Sequence, residues 1–81
     1  MARLQKVLHV DDEADIRTIA KMAMDVVGDI EVLQCSSGEQ ALEEAGGFMP
    51  DLFLLEYMMP GLDGQTTLHE LRQIPGLENA C

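Results

Sequence analysis

Three short apolar blocks alternate with three stretches of helical periodicity along the chain. Lys6-Val7-Leu8-His9-Val10 is the first block, a predicted strand that stops at Asp11-Asp12. From about Glu13 to Val27, Ile16, Ile19, Ala20, Ala23 and Val27 recur at helical spacing and make one apolar face. Arg17, Lys21 and Asp25 stand four apart on the opposite, solvated face, and Gly28-Asp29 ends the helix. Ile30 to Cys35 is the second strand, and its partial alternation suits an edge strand with one wetter face. Ser37-Gly38-Glu39-Gln40 has the form of a capping box. The helix it opens runs to about Ala45, with Ala41, Leu42 and Ala45 inward and Gly46-Gly47 as its stop. Pro50 opens the third strand, Leu52 to Glu56, whose run Leu52-Phe53-Leu54-Leu55 suits a strand buried on both faces of a parallel sheet. Asp63 is a good N-cap for a third helix reaching about Gln73, with Leu68, Leu71 and Ile74 inward. Pro75-Gly76 ends it, and Leu77 to Cys81 has no clear element of its own.

Strands that alternate with helices in the order β-α-β-α-β-α form a parallel sheet with right-handed crossovers, an α/β fold. The 81 residues allow one domain at most. A chain of this size buries only ~60–70% of its unfolded surface and is toward the marginal end of stability. Hydrophobic content of 47% and charged content of 25% are ordinary for a globular protein. The formal charge of −10 and pI near 4.2 argue against a nucleic-acid or acidic-membrane surface and fit a cation or a basic partner. No run approaches the ~18 apolar residues of a membrane span, and Met1-Ala2-Arg3-Leu4-Gln5-Lys6 opens no signal peptide. Two cysteines without a secretory signal suggest a reducing, cytoplasmic setting. Cys35 is expected to face a core and Cys81 to be exposed, and neither has the neighbours a metal site needs.

The chemistry sits where two strands end. If the first and third strands are neighbours, Asp11, Asp12 and Glu56 converge at one carboxyl edge, where open α/β sheets keep their ligand sites. Carboxylates so close either take up a proton or hold a cation, and a hard divalent ion such as Mg2+ suits oxygen ligands. The same residues also suit a solvated acidic helix start, so spacing alone leaves both open. His9 reads as a partly buried strand residue, His69 as solvated, and Tyr57 as either site-shaping or loop packing. The methionines form no stripe.

The segments Val7–Glu13, Ser37–Leu42 and Pro50–Gly64 together resemble the receiver domain of two-component response regulators, the CheY-like family. The resemblance spans about residues 5 to 74 and implies a truncated flavodoxin-like (CheY-like) fold, a three-stranded sheet in the order 2-1-3 with flanking helices. It implies that Asp11 and Asp12 help bind Mg2+, Asp12 directly and Asp11 through water, and that Met58 lends a backbone carbonyl. It places Glu56 at the phosphoacceptor position, which in the family is an aspartate that attacks a phosphohistidine, and so counts Glu56 among the metal ligands. It also implies a sensor histidine kinase or phosphotransfer protein as partner and a switching module rather than an enzyme.

Two departures bear on function. Glu56 keeps the charge but adds a methylene, and in-line transfer tolerates little misplacement, ~100-fold for ~1 Å. Ordinary phosphorylation is therefore expected to be lost or weak. Strands four and five, with the Ser or Thr and the Lys that end them in the family, have no counterparts, so the chain reads as a single partial receiver domain over residues 1–81. The third strand then becomes an edge with unpaired backbone groups, expected to pair with a second copy as a homodimer. A half-receiver acting by self-association or fragment complementation is the alternative function, and a metal-dependent phosphohydrolase a weaker one, since no second catalytic acid or nearby lysine is in sight.

Overall fold

The computed structural model describes residues 5–81. The Met1–Leu4 portion of the expected leaderless start lies outside the described residues. The elements are β1 (Gln5–Val10), α1 (Ala14–Val27), β2 (Ile30–Cys35), α2 (Gly38–Phe48), β3 (Leu52–Leu55) and α3 (Gly64–Leu71). All three strands are parallel, and their order is β2-β1-β3. Val10 stands opposite Cys35 on one side and Leu55 on the other, so the three strands finish level.

Alternation along the strands divides the core. Leu8, Val10, Cys35 and Phe53 point to the α2–α3 face, where they meet Ala41, Ala45, Leu71 and Leu77. Val7 and His9, both almost fully buried, and the opposing Leu52 and Leu54 lie on the α1 face. The tail adds no regular element, yet Leu77 is buried in the core and Cys81 N–H donates to the Asp51 carbonyl at 3.2 Å.

The largest departure from the sequence reading is α1. It has no buried residue, and its expected apolar stripe faces outward, with Ile16 and Ile19 exposed and only Ala20 half-buried. Arg17 and Lys21, expected in solvent, are half-buried. The helix leans toward β2 and is held by polar contacts. The Gln34 amide donates to the Arg17 carbonyl at 2.7 Å, and the Arg17 guanidinium donates to the Asp11 carbonyl at 2.6 Å. Among the described residues nothing covers its other flank, beneath β3, where Ile16 and Ile19 are exposed.

Smaller differences concern helix ends. α2 runs through Gly46 and Gly47 to Phe48, because Pro50 rather than the glycines enforces the stop. Met49 takes the left-handed cap, φ 55°, and its N–H returns to the Ala45 carbonyl at 2.8 Å. The capping box forms with a shift. Ser37 Oγ accepts from Gln40 N–H at 3.1 Å, while Gln40 Oε1 accepts from Ser36 N–H, at 2.8 Å, rather than from Ser37. α3 ends at Leu71, two residues early, and Asp63 caps it by accepting from Thr66 N–H at 2.8 Å.

Candidate functional site at the carboxyl edge of the sheet

Because β1 and β3 are neighbours ending in register, Asp11 and Glu56 emerge side by side. Their amides bond back into the sheet, Asp11 N–H to the Cys35 carbonyl at 3.1 Å and Glu56 N–H to the Val10 carbonyl at 2.9 Å. Both line one cleft of about 230 Å³, whose floor includes His9, Ile16, Ala20 and Leu54.

Asp11 is almost fully buried, and its Oδ1 accepts from Glu13 N–H at 2.9 Å, which turns the chain into α1. Carboxylate oxygens of Asp11, Asp12 and Glu13 lie within 4.8 Å of one another. This acidic trio offers the hard oxygen donors that a divalent cation takes. The sequence already groups these three residues, but its ligand set names only the first two, and Glu13 is the addition.

Glu56 is not in that trio. Its Oε1 folds back over its own loop and accepts from Tyr57 N–H at 2.9 Å and, at 3.4 Å, from Met58 N–H. The loop is drawn tight by Gly64, whose N–H donates to the Tyr57 carbonyl at 3.0 Å. A Cβ on Gly64 would overlap the Glu56 carbonyl oxygen and stand 2.9 Å from Tyr57 Cα. The Asp63-Gly64 pair thus has two functions, a cap and a close approach, of which the sequence disclosed only the first. Tyr57 and Met58 are exposed, whereas Met59 is buried in the core.

His9 is locked beneath the edge. Gln34 Nε2 is 3.1 Å from His9 Nδ1. An amide NH2 can only donate, so Nδ1 accepts and the ring proton sits on Nε2. Burial lowers the His9 pKa, the Arg17 charge adds to that effect and the Asp11 charge opposes it. His9 is thus a strand residue, as the sequence suggests, but almost fully rather than partly buried. Cys35 is buried and its thiol is pushed up to about 11, by burial first and the Glu44 carboxylate second. Cys81 and His69 are exposed, as expected.

An open parallel α/β sheet keeps its ligand sites outside the carboxyl ends of its strands, which is where these acidic side chains stand. The response regulator receiver domain family matches residues 7–79. The chain belongs to that family. A probable transcriptional regulator, ycf27, of Guillardia theta is 44% identical over 69 residues, covering 85% of this chain and 27% of the relative. The N-terminal domain of a response regulator receiver protein from Methanoculleus marisnigri superposes with a TM-score of 0.86 at 31% identity, covering 95% of this chain and 62% of that one. The receiver domain of the histidine kinase CKI1 from Arabidopsis thaliana, complexed with Mg2+ and BeF3−, superposes at 0.83 with 26% identity, covering 98% and 62%. The chain thus spans little more than a quarter of the curated relative and under two thirds of the solved structures. Its sheet order and three flanking helices are those of the CheY-like flavodoxin fold.

Proposed function

We propose that this chain is the receiver module of a two-component phosphorelay in which Glu56 stands at the phosphoacceptor position and ordinary phosphorylation is lost. One observation carries the reading: the Glu56 carboxylate already occupies the amides of Tyr57 and Met58 at the strand end. Those donors would otherwise be free for the oxygens of an incoming phosphoryl group, so the longer side chain fills the space that the reaction needs.

Mg2+ is the cofactor this donor set fits, held by Asp11 and Asp12, with Glu13 beside them, and by the Met58 carbonyl. Glu56, whose Oε1 is engaged by its own loop, stands outside the clustered trio. The ion would neutralise charge on an approaching phosphoryl group. The solved relative with Mg2+ and BeF3− supports this assignment by likeness. The phosphoryl donor would be a sensor histidine kinase or phosphotransfer protein, and the module itself is a switch, not an enzyme. A net charge of −10 disfavours direct nucleic-acid binding. Among the described residues no helix is long and apolar enough to cross a membrane.

The test is mass spectrometry after incubation with Mg2+ and a small acyl-phosphate donor. Wild type should gain no phosphoryl group, and Glu56→Asp should gain one. Stable phosphorylation of wild type at Glu56 would refute the reading. Calorimetry should show Mg2+ binding that weakens in Asp12→Asn.

A second reading, association through the open edge of β3, is favoured by the exposure of Leu52 and Leu54 beside unpaired backbone groups. In that reading the chain, residues 1–81 as a single partial domain, acts as a homodimer or by complementing another half.

A further inference from the structure

We infer that Arg17 is a positioning residue for the cation site, holding the peptide between Asp11 and Asp12 in place without joining the ligand set. The inference rests on the Mg2+ assignment proposed above and deepens it. Every group it uses belongs to β1, α1, β2 or the turn between β1 and α1.

The turn that carries Asp11 and Asp12 is pinned at two points. Asp11 Oδ1 accepts from Glu13 N–H at 2.9 Å, and the Arg17 guanidinium donates to the Asp11 carbonyl at 2.6 Å. That carbonyl lies in one rigid plane with the nitrogen and Cα of Asp12. Fixing it therefore sets the direction in which the exposed Asp12 side chain leaves the backbone. Arg17 is itself held. It is half-buried, and its own carbonyl accepts from Gln34 Nε2 at 2.7 Å. The second hydrogen of that amide serves His9 Nδ1, at 3.1 Å. One side chain of β2 thereby anchors the first turn of α1, and Arg17 reaches from there back to the end of β1.

The kind of contact matters as much as its place. A guanidinium paired with one of the site's carboxylates would compete with the metal for its oxygens. Among the described residues the one ion pair is Lys21 with Asp25, at 2.6 Å, so Arg17 pairs with no member of the trio. It donates to a backbone oxygen instead and leaves to a cation the carboxylates of Asp11, Asp12 and Glu13, clustered within 4.8 Å. Groups that orient metal ligands from behind typically govern affinity by about 10–100-fold. The Arg17 charge acts the other way, because removing a positive charge close to three carboxylates favours cation binding. Positioning and charge are thus separated by the sign of the change.

Calorimetric titration of the whole chain with MgCl2 tests this, with circular dichroism on each sample to show that it is folded. Arg17→Met removes both the donor and the charge, and its Mg2+ affinity should fall by about tenfold or more. Arg17→Ala, which favours the helix, takes its place if Arg17→Met loses its fold. Arg17→Lys keeps a donor and should recover most of the affinity. Lys21→Met, on the same helix, removes the same charge away from the turn and should bind Mg2+ at least as well as wild type. A folded Arg17→Met that binds as tightly as wild type, or more tightly, would overturn the positioning role and leave the Mg2+ assignment standing. Equal weakening in Arg17→Met and Lys21→Met would overturn it too, by assigning the effect to α1 as a whole. Wild type that binds no Mg2+, or binds it no better than Asp12→Asn does, would overturn the assignment and the positioning role together.

Discussion

The same substitution, glycine to alanine, should have opposite signs at Gly64 and Gly47. At Gly64 an added Cβ meets the Glu56 carbonyl and Tyr57 Cα, both backbone atoms that cannot rotate away. Relief requires shifting the loop that seats the Glu56 carboxylate. Forced overpacking of this kind costs about 1–3 kcal/mol. At Gly47, inside α2, nothing lies within 4 Å of an added Cβ. Alanine there should add ~0.5–1 kcal/mol through helix propensity and a less flexible unfolded chain. A domain of this length has ~4–12 kcal/mol in total, so the Gly64 change removes a substantial part of it. Urea denaturation followed by helical circular dichroism reads both. With a slope of about 1 kcal/mol/M, the midpoint should fall by ~1–3 M for Gly64→Ala and rise by ~0.5–1 M for Gly47→Ala. A Gly64→Ala midpoint at or above wild type, with the slope unchanged, would show that the tight loop does not constrain that position.

Leu71 is fully buried between α3 and the sheet, so Leu71→Ala should cost ~2–5 kcal/mol in the same urea assay. The two thiols should separate by reactivity: with its pKa near 11 against an ordinary 9.0, native Cys35 holds about 100-fold less thiolate than an unperturbed cysteine at pH 8. A thiol reagent should therefore modify Cys81 quickly and Cys35 only in denaturant. His9 has a depressed pKa in the fold, so the unfolded chain binds the extra proton first; its contribution to stability is complete above pH 6.5 and declines as pH falls below that value. Comparing wild type with His9→Asn between pH 7.5 and 5 should show a steeper loss for wild type, and parallel curves would refute the assignment.

The strands were legible because each apolar block is bounded by turn or helix signals and because alternation with helices dictates a parallel sheet, and their order followed from the family resemblance. The orientation of α1 was not legible. Periodicity identifies an apolar stripe on a helix, but it says nothing of whether a neighbour exists to cover that stripe. The end of α2 was misread because Gly46-Gly47 carries the composition of a stop while Pro50 applies the steric one. Residue type fixed the charge at position 56, but the extra methylene lets that carboxylate turn onto its own loop, a choice made by two backbone amides that spacing cannot reveal. Gly64 could have been suspected from its place after a capping aspartate, but its close approach to Glu56 depends on how the loop closes in three dimensions.

The polar clasp of α1 has a consequence for motion. Every other helix contributes buried side chains to the shared core, whereas α1 contributes none and is tied down through Gln34 and Arg17. Breaking two or three hydrogen bonds releases it without opening the core beneath α2 and α3. In a single copy its amides should therefore exchange with solvent deuterium by local opening, well before those of β1, which global unfolding alone exposes. The molecule is in this sense two units of unequal permanence, a fixed half-sheet with two helices and a hinged first helix whose protection depends on what lies against it.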